Sequence, residues 1–132
     1  MAVVLVIDDD ADNCEVLSRF LTRAKHHVVC ARNGREALIA VTESSPQVLL
    51  LDLSMPEMDG ISFLEVLRSY LRWTSLPVIL ITGIDDPDLL ARAAEFGVKR
   101  VFRKAQFKLE DLLPAINELA PPIREPGPSM GT

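Results

Sequence analysis

Four stretches of the chain are apolar without interruption: Val3-Val4-Leu5-Val6-Ile7, Val28-Val29-Cys30-Ala31, Val48-Leu49-Leu50-Leu51 and Val78-Ile79-Leu80-Ile81. Runs of this length suit strands buried on both faces. Between them the period becomes that of a helix. From Asn13 onward, Val16, Leu17, Phe20, Leu21 and Ala24 form one apolar stripe. Asn33 reads as the N-cap of a second helix, with Glu36 at its third position in a capping-box variant and Ala37, Leu38 and Val41 facing inward. Pro46 ends that helix, and Pro77 suits the first position of the fourth strand. After Gly60, the residues Phe63, Leu64, Leu67 and Leu71 predict a third helix. Asp86-Pro87-Asp88 starts a fourth, with an N-cap carboxylate, proline at the first helical position and a second acid against the dipole; Gly97 caps its end. Residues 98–103 predict a fifth strand, diluted by Lys99, Arg100 and Arg103 as an edge position allows. A fifth helix carries Leu109, Leu112, Leu113, Ile116 and Leu119, and Pro114 inside it either kinks it or delays its start.

Five strands alternating with five helices predict an α/β fold: a doubly wound, open parallel sheet of order 2-1-3-4-5 with helices on both faces. Ligands of such sheets bind outside the carboxyl ends of the strands, where the first and third strands part. The domain should occupy residues 1–120. Residues 121–132 hold four prolines and two glycines and read as a disordered tail or linker stub.

Composition narrows the function classes. With 132 residues, 48% of them apolar, the chain has enough material for one real core. No apolar run approaches the roughly 20 residues that span a bilayer, and no basic segment precedes the first run, so a cytoplasmic protein without membrane contact is expected. Cys14 and Cys30 have neither metal-ligand nor disulfide-framework spacing and read as reduced, partly buried thiols. A net charge of −5, no basic run and 5% aromatic residues argue against direct nucleic-acid binding. Ten acids (Asp8, Asp9, Asp10, Asp12, Asp52, Glu57, Asp59, Asp85, Asp86 and Asp88) out of 19 follow the first, third and fourth strands. The basic cluster Lys99, Arg100, Arg103 and Lys108 reads as a solvated edge or a docking surface for an acidic partner.

The predicted sheet brings Asp8, Asp9 and Asp52 to the switch point, beside Thr82 and Lys104. Taken singly, the two adjacent aspartates are helix N-cap candidates, Thr82 a strand-end hydroxyl and Lys104 a surface charge. Together they are different. A carboxylate at the rim of an apolar sheet is costly without a cation, and three of them repel one another unless a divalent ion joins them. Hard oxygen ligands suit Mg²⁺. These are the parts for phosphoryl transfer to an aspartate: Asp52 attacks phosphorus in line, Mg²⁺ and Lys104 neutralise the equatorial oxygens, and Thr82 donates to one of them.

The segments Val6-Ile7-Asp8-Asp9, Asp52-Leu53-Ser54-Met55-Pro56-Glu57-Met58-Asp59-Gly60, Ile81-Thr82-Gly83 and Arg103-Lys104, in this order, resemble the receiver domains of two-component response regulators, in particular single-domain chemotaxis regulators. The resemblance covers about residues 2–119. It implies a flavodoxin-like fold and Asp52 as the phosphoacceptor. It also implies Mg²⁺ bound by Asp9, Asp52 and the backbone carbonyl of Ser54, with Asp8 acting through a water, and a phosphoryl group contacted by Thr82 and Lys104. The donor would be a histidine kinase or a histidine phosphotransfer protein. The reader would be a downstream protein or an output domain outside this chain, engaged through the fourth helix, fifth strand and fifth helix. Such a protein is a phosphoacceptor rather than an enzyme, capable at most of self-phosphorylation from small donors and of autodephosphorylation. Met55, Pro56 and Gly60 would shape the turn, Gly60 through a backbone angle other residues avoid.

Three positions depart from the family pattern. Ala105 follows Lys104 where the family has proline, often cis; a cis bond before a non-proline residue costs roughly 2.5–4 kcal/mol, which predicts a trans bond here. Thr82 and position 101 are the expected switch pair, yet position 101 is Val101 instead of Tyr or Phe, and Phe102 should point to the opposite side of its strand. Ile84 stands where a polar residue is common. These departures motivate an alternative, a pseudo-receiver acting as a phosphorylation-independent interaction module. A haloacid-dehalogenase-type phosphatase using Asp8 and Asp10 is opposed by Asp12, where that family wants Thr or Val. A flavin site is opposed by the acids at the mouth, which repel a phosphate.

Overall fold

The computed structural model describes residues 2–53, 60–83, 86–104 and 106–120. The elements run β1 (Val3–Ile7), α1 (Ala11–Arg23), β2 (His27–Ala31), α2 (Gly34–Ser44), β3 (Val48–Leu51), α3 (Gly60–Arg68), β4 (Val78–Thr82), α4 (Pro87–Glu95), β5 (Arg100–Arg103) and α5 (Leu112–Leu119). Short 3₁₀ turns lie at Leu71–Trp73 and Leu109–Asp111. All strand pairs are parallel, in the order β2-β1-β3-β4-β5. This is the doubly wound, flavodoxin-like sheet expected from the alternation of elements.

Strand alternation divides the core into two layers. Leu5, Ile7, Leu49, Leu51 and Leu80 face α2, α3 and α4, where they meet Ala37, Phe63, Leu64 and Ala93. Val4, Val6, Leu50, Ile79 and Ile81 face α1 and α5, against Leu17, Leu21, Leu112 and Ile116. Every residue of β3 and β4 is buried, which accounts for runs with no polar interruption. Each fully buried Leu, Ile or Phe contributes about 1.5–3 kcal/mol, so these layers dominate stability.

The helix starts follow their capping residues. Asp10 caps α1 by accepting from the Asp12 amide at 2.9 Å. Asn33 accepts from the Glu36 amide at 2.8 Å, while the Glu36 carboxylate reaches back to the Arg32 amide at 3.0 Å. Asp86 receives the Asp88 and Leu89 amides ahead of Pro87. Gly97, at φ +78°, follows α4. Arg68, at the end of α3, donates from Nε to the Phe96 carbonyl and from Nη1 to the Trp73 carbonyl, both at 2.7 Å, and so ties the C-terminal end of α4 to α3.

Several boundaries differ from the sequence reading. α1 begins at Ala11 because Asp10, ahead of Asn13, provides the cap. Val16 is 51% exposed, outside the inward stripe. Leu71 lies beyond the end of α3, in the 3₁₀ turn, and is 91% exposed. β5 begins at Arg100, and Val98 packs on the α2–α4 layer instead. Pro114 sits at the third position of α5, within the first turn, where its missing N–H costs no helical hydrogen bond; the helix therefore starts late rather than kinks. The predicted tail, residues 121–132, lies outside the described residues.

Candidate acidic site at the strand ends

The site forms because β1 and β3 are neighbours in register, Ile7 opposite Leu51. The residues that follow them must then converge. The Asp52 amide donates to the Ile7 carbonyl at 2.9 Å, and the Asp8 amide to the Ala31 carbonyl at 3.0 Å. Carboxylate oxygens of Asp8, Asp9 and Asp52 lie within 4.8 Å of one another. Asp8 and Asp52 are each 4% exposed, and Asp9 faces solvent. Thr82, fully buried, ends β4 opposite Arg103 of β5. The Lys104 amide donates to the Thr82 carbonyl at 3.1 Å. From there its side chain returns across the strand ends, placing Nζ 3.0 Å from Asp52 Oδ2 and 3.4 Å from Asp8 Oδ2.

Among the described residues, three carboxylates share one ammonium in a largely buried cluster. Burial pushes the Asp8 carboxyl above the usual carboxylate range, and Asp52 adds to this; the Asp10 amide, at 2.9 Å from Oδ1, and the Lys104 charge offset part of the shift. For Lys104 burial works against the charge, but the hydrogen bond and charge of Asp52 and the charge of Asp8 prevail, and the ammonium is held above its ordinary pKa. The donor set is all hard oxygen, which fits Mg²⁺. Asp8 is also held by Asn13 Nδ2 (3.4 Å), the Asp10 amide and Lys104.

Asp8, Asp9, Asp52, Thr82 and Lys104 thus come from four strand ends to one edge. Ser54, Met55, Pro56, Ile84 and Ala105 lie outside the described residues. Val101 is 46% exposed on β5, opposite Leu80. Phe102 points the other way, into the α1–α5 layer, with its ring centroid 5.5 Å from that of Phe107. Gly60 has a different role from the one expected. It does not adopt a left-handed backbone; a Cβ there would lie 2.6 Å from Leu53 Cα and 3.0 Å from the Asp52 carbonyl oxygen. Its lack of a side chain lets α3 approach the backbone that carries Asp52.

Beside Asp8 and Lys104 a groove of about 250 Å³ opens between α1 and the segment leading to α5, with Val16, Phe107 and Leu109 on its walls. Val16 thus lines the groove rather than the core, since helical spacing alone does not separate a core position from a groove wall one step around the helix. Among the described residues, no helix is long and apolar enough to cross a membrane.

Comparison with known proteins agrees with this geometry. The model of the response regulator receiver domain matches residues 4–117. A protein-glutamate methylesterase/protein-glutamine glutaminase of Methanospirillum hungatei is 33% identical over 109 residues, 79% of this chain and 30% of that protein. The DNA-binding transcriptional regulator NtrC of Salmonella typhimurium is 38% identical over 95 residues, 72% of this chain and 20% of that protein. The chain spans 20% to 42% of the length of such curated relatives. Among solved structures, the chemotaxis protein CheY4 of Vibrio cholerae superposes with a TM-score of 0.82 at 28% identity, covering 90% of this chain and 98% of that one. With the doubly wound sheet, the clustered aspartates and the lysine at their centre, these matches make the chain a member of the response regulator receiver domain family.

Proposed function

We propose that Asp52 accepts a phosphoryl group from a histidine kinase or a histidine phosphotransfer protein, and that the acyl phosphate changes a protein-binding surface on α4, β5 and α5. The observation that carries this reading is the Lys104 ammonium 3.0 Å from the Asp52 carboxylate, inside the cluster of Asp8, Asp9 and Asp52. A carboxylate oxygen of Asp52 attacks phosphorus in line, and the leaving group departs with the bonding electrons. Lys104 turns toward the phosphoryl oxygens and neutralises them, and the Thr82 hydroxyl donates to one. Asp9, Asp52 and the Ser54 carbonyl, with Asp8 through a water, would hold a Mg²⁺ ion, which would supply further neutralisation of phosphoryl charge. Since the Lys104 amide is bonded to the Thr82 carbonyl, a movement at Thr82 is passed directly to the end of β5.

The experiment is incubation with a small phosphodonor and Mg²⁺, followed by intact mass. One added phosphoryl group, absent in Asp52→Asn, is expected; an unchanged mass with and without a kinase rejects the reading. A second reading, a phosphorylation-independent interaction module acting on its downstream protein, draws on Val101, an exposed valine with no ring to swing inward. It requires that Asp52→Asn signal normally in cells, and a clear loss of signalling eliminates it. The phosphatase alternative is disfavoured because the Asp10 carboxylate is committed to capping α1.

A further inference from the structure

Cys14 and Cys30 are sixteen residues apart in the chain and adjacent in space. Cys14 lies in the first turn of α1 and is 7% exposed, packed in the same layer as Val6. Cys30 is exposed on β2, opposite Val6 of β1, and β2 is an edge of the sheet. Cys30 Sγ is 3.8 Å from the Cys14 carbonyl oxygen, which places the two cysteines side by side. Cys14 Sγ in turn points to the Asp8 carbonyl oxygen, at 3.4 Å. One thiol is therefore open to solvent and the other waits behind it, an arrangement of attacking and resolving sulfurs.

We propose that Cys14 and Cys30 are a reversible dithiol–disulfide site, oxidised by hydroperoxides at Cys30 and resolved by Cys14, which staples the start of α1 to the edge strand β2. The neighbouring Cys14 thiol holds the Cys30 thiol below its ordinary range, against the opposing effect of burial, which favours the thiolate that attacks a peroxide. In the first step the Cys30 sulfur attacks one oxygen of the hydroperoxide. The O–O bond breaks, its electron pair leaves with the other oxygen as water or an alcohol after taking a proton, and Cys30 becomes a sulfenic acid. In the second, the Cys14 sulfur attacks the Cys30 sulfur; the S–O bond breaks, the hydroxyl leaves as water with the Cys14 proton, and the S–S bond forms. The pair has lost two electrons and two protons to the peroxide. Two equivalents of an external thiol, or one of a dithiol, reverse it by exchange. Bond formation also removes the Cys14 S–H that contacts the Asp8 carbonyl.

The inference does not depend on phosphorylation of Asp52. It is tested on the full chain with hydrogen peroxide, followed by alkylation and intact mass. The expected result is a monomeric product lighter by two hydrogen atoms, refractory to alkylation until a dithiol reductant is added. In Cys14→Ala, Cys30 should stop at a sulfenic acid that a dimedone probe captures; in Cys30→Ser, an exposed and conservative change, no intramolecular bond should form. The proposal is overturned if both thiols of the wild type remain alkylatable after peroxide, if Cys30 proceeds to sulfinic acid with Cys14 present, or if the only disulfide joins two chains.

Discussion

Replacing Gly60 with alanine should weaken the fold and the chemistry at Asp52 together. The new Cβ would lie 2.6 Å from Leu53 Cα, 2.8 Å from Leu53 Cδ2 and 3.0 Å from the Asp52 carbonyl oxygen. The Leu53 side-chain tip can rotate, but the Cα and the carbonyl cannot yield without moving the backbone that carries Asp52. Leu53 is 2% exposed and packed in the α2–α4 layer, so the displacement propagates into well-packed core. Overpacking of this kind costs about 1–3 kcal/mol. Alanine's helix preference over glycine returns at most ~1 kcal/mol, and less at the first helical position. A net loss of about 1–2 kcal/mol corresponds to roughly 4–8 °C in Tm for a domain of this size. Urea and thermal unfolding followed by Trp73 fluorescence measure it, and the rate of phosphorylation by a small donor should fall in the same variant. Gly83→Ala is the control: among the described residues its Cβ meets nothing nearer than Lys104 Cδ at 4.0 Å, so its stability should stay within about 0.5 kcal/mol of wild type. A Gly60→Ala protein as stable as Gly83→Ala would refute the close-approach explanation.

Lys104→Met removes the ammonium that Asp8 and Asp52 share. Its cost should fall below the roughly 3–5 kcal/mol of a broken fully buried pair, because the lysine side chain is 32% exposed; unfolding without Mg²⁺ measures it, and added Mg²⁺ should restore more stability than in wild type. Asp8→Asn should have the opposite sign. The folded Asp8 carboxyl holds its proton above its ordinary 3.8, so its ionisation costs stability as pH rises from there through the folded value. The advantage of the asparagine variant in metal-free urea titrations should grow over that window and then level off. The raised Lys104 pKa acts at the other end: its contribution is complete below 10.5 and is lost as pH rises through the folded value, which alkaline unfolding should detect. Asp9→Ala, on an exposed side chain, should leave metal-free stability within about 0.5 kcal/mol and abolish the ~2.7 kcal/mol that Mg²⁺ at 100 times its Kd would add to wild type.

Much of this molecule could be read from its residues where the signal was local. The runs at Val48–Leu51 and Val78–Ile81 are uninterrupted because both faces of those strands are covered. Asn33 and Asp86 announce helix starts because capping is a contact over two or three residues. The site was legible for a related reason: in a parallel sheet, residues that close neighbouring strands must meet, which brought Asp8, Asp9, Asp52, Thr82 and Lys104 together. What escaped depended on register and distance. Gly60 leaves room for the Leu53 backbone, Val16 borders a groove completed by Phe107, and Cys14 meets a partner on β2. None of these leaves a periodic trace. At β5 the exposed positions Arg100 and Val101 obscured where the strand begins, since an edge strand carries half its apolar signal.

The guanidinium of Arg68 gives α4 unequal ends. Its carboxyl end is held through the Phe96 carbonyl to α3, while its amino end, at Asp86 and Pro87, follows closely on Thr82 at the acidic edge. A rod pinned at one end and pushed at the other pivots. Any displacement delivered near Thr82 would therefore become a rotation of α4 about Arg68, greatest at the first turn and smallest at Phe96. A partner gripping α4 near its amino end would feel the full stroke of this lever, and one seated on Glu95 almost none.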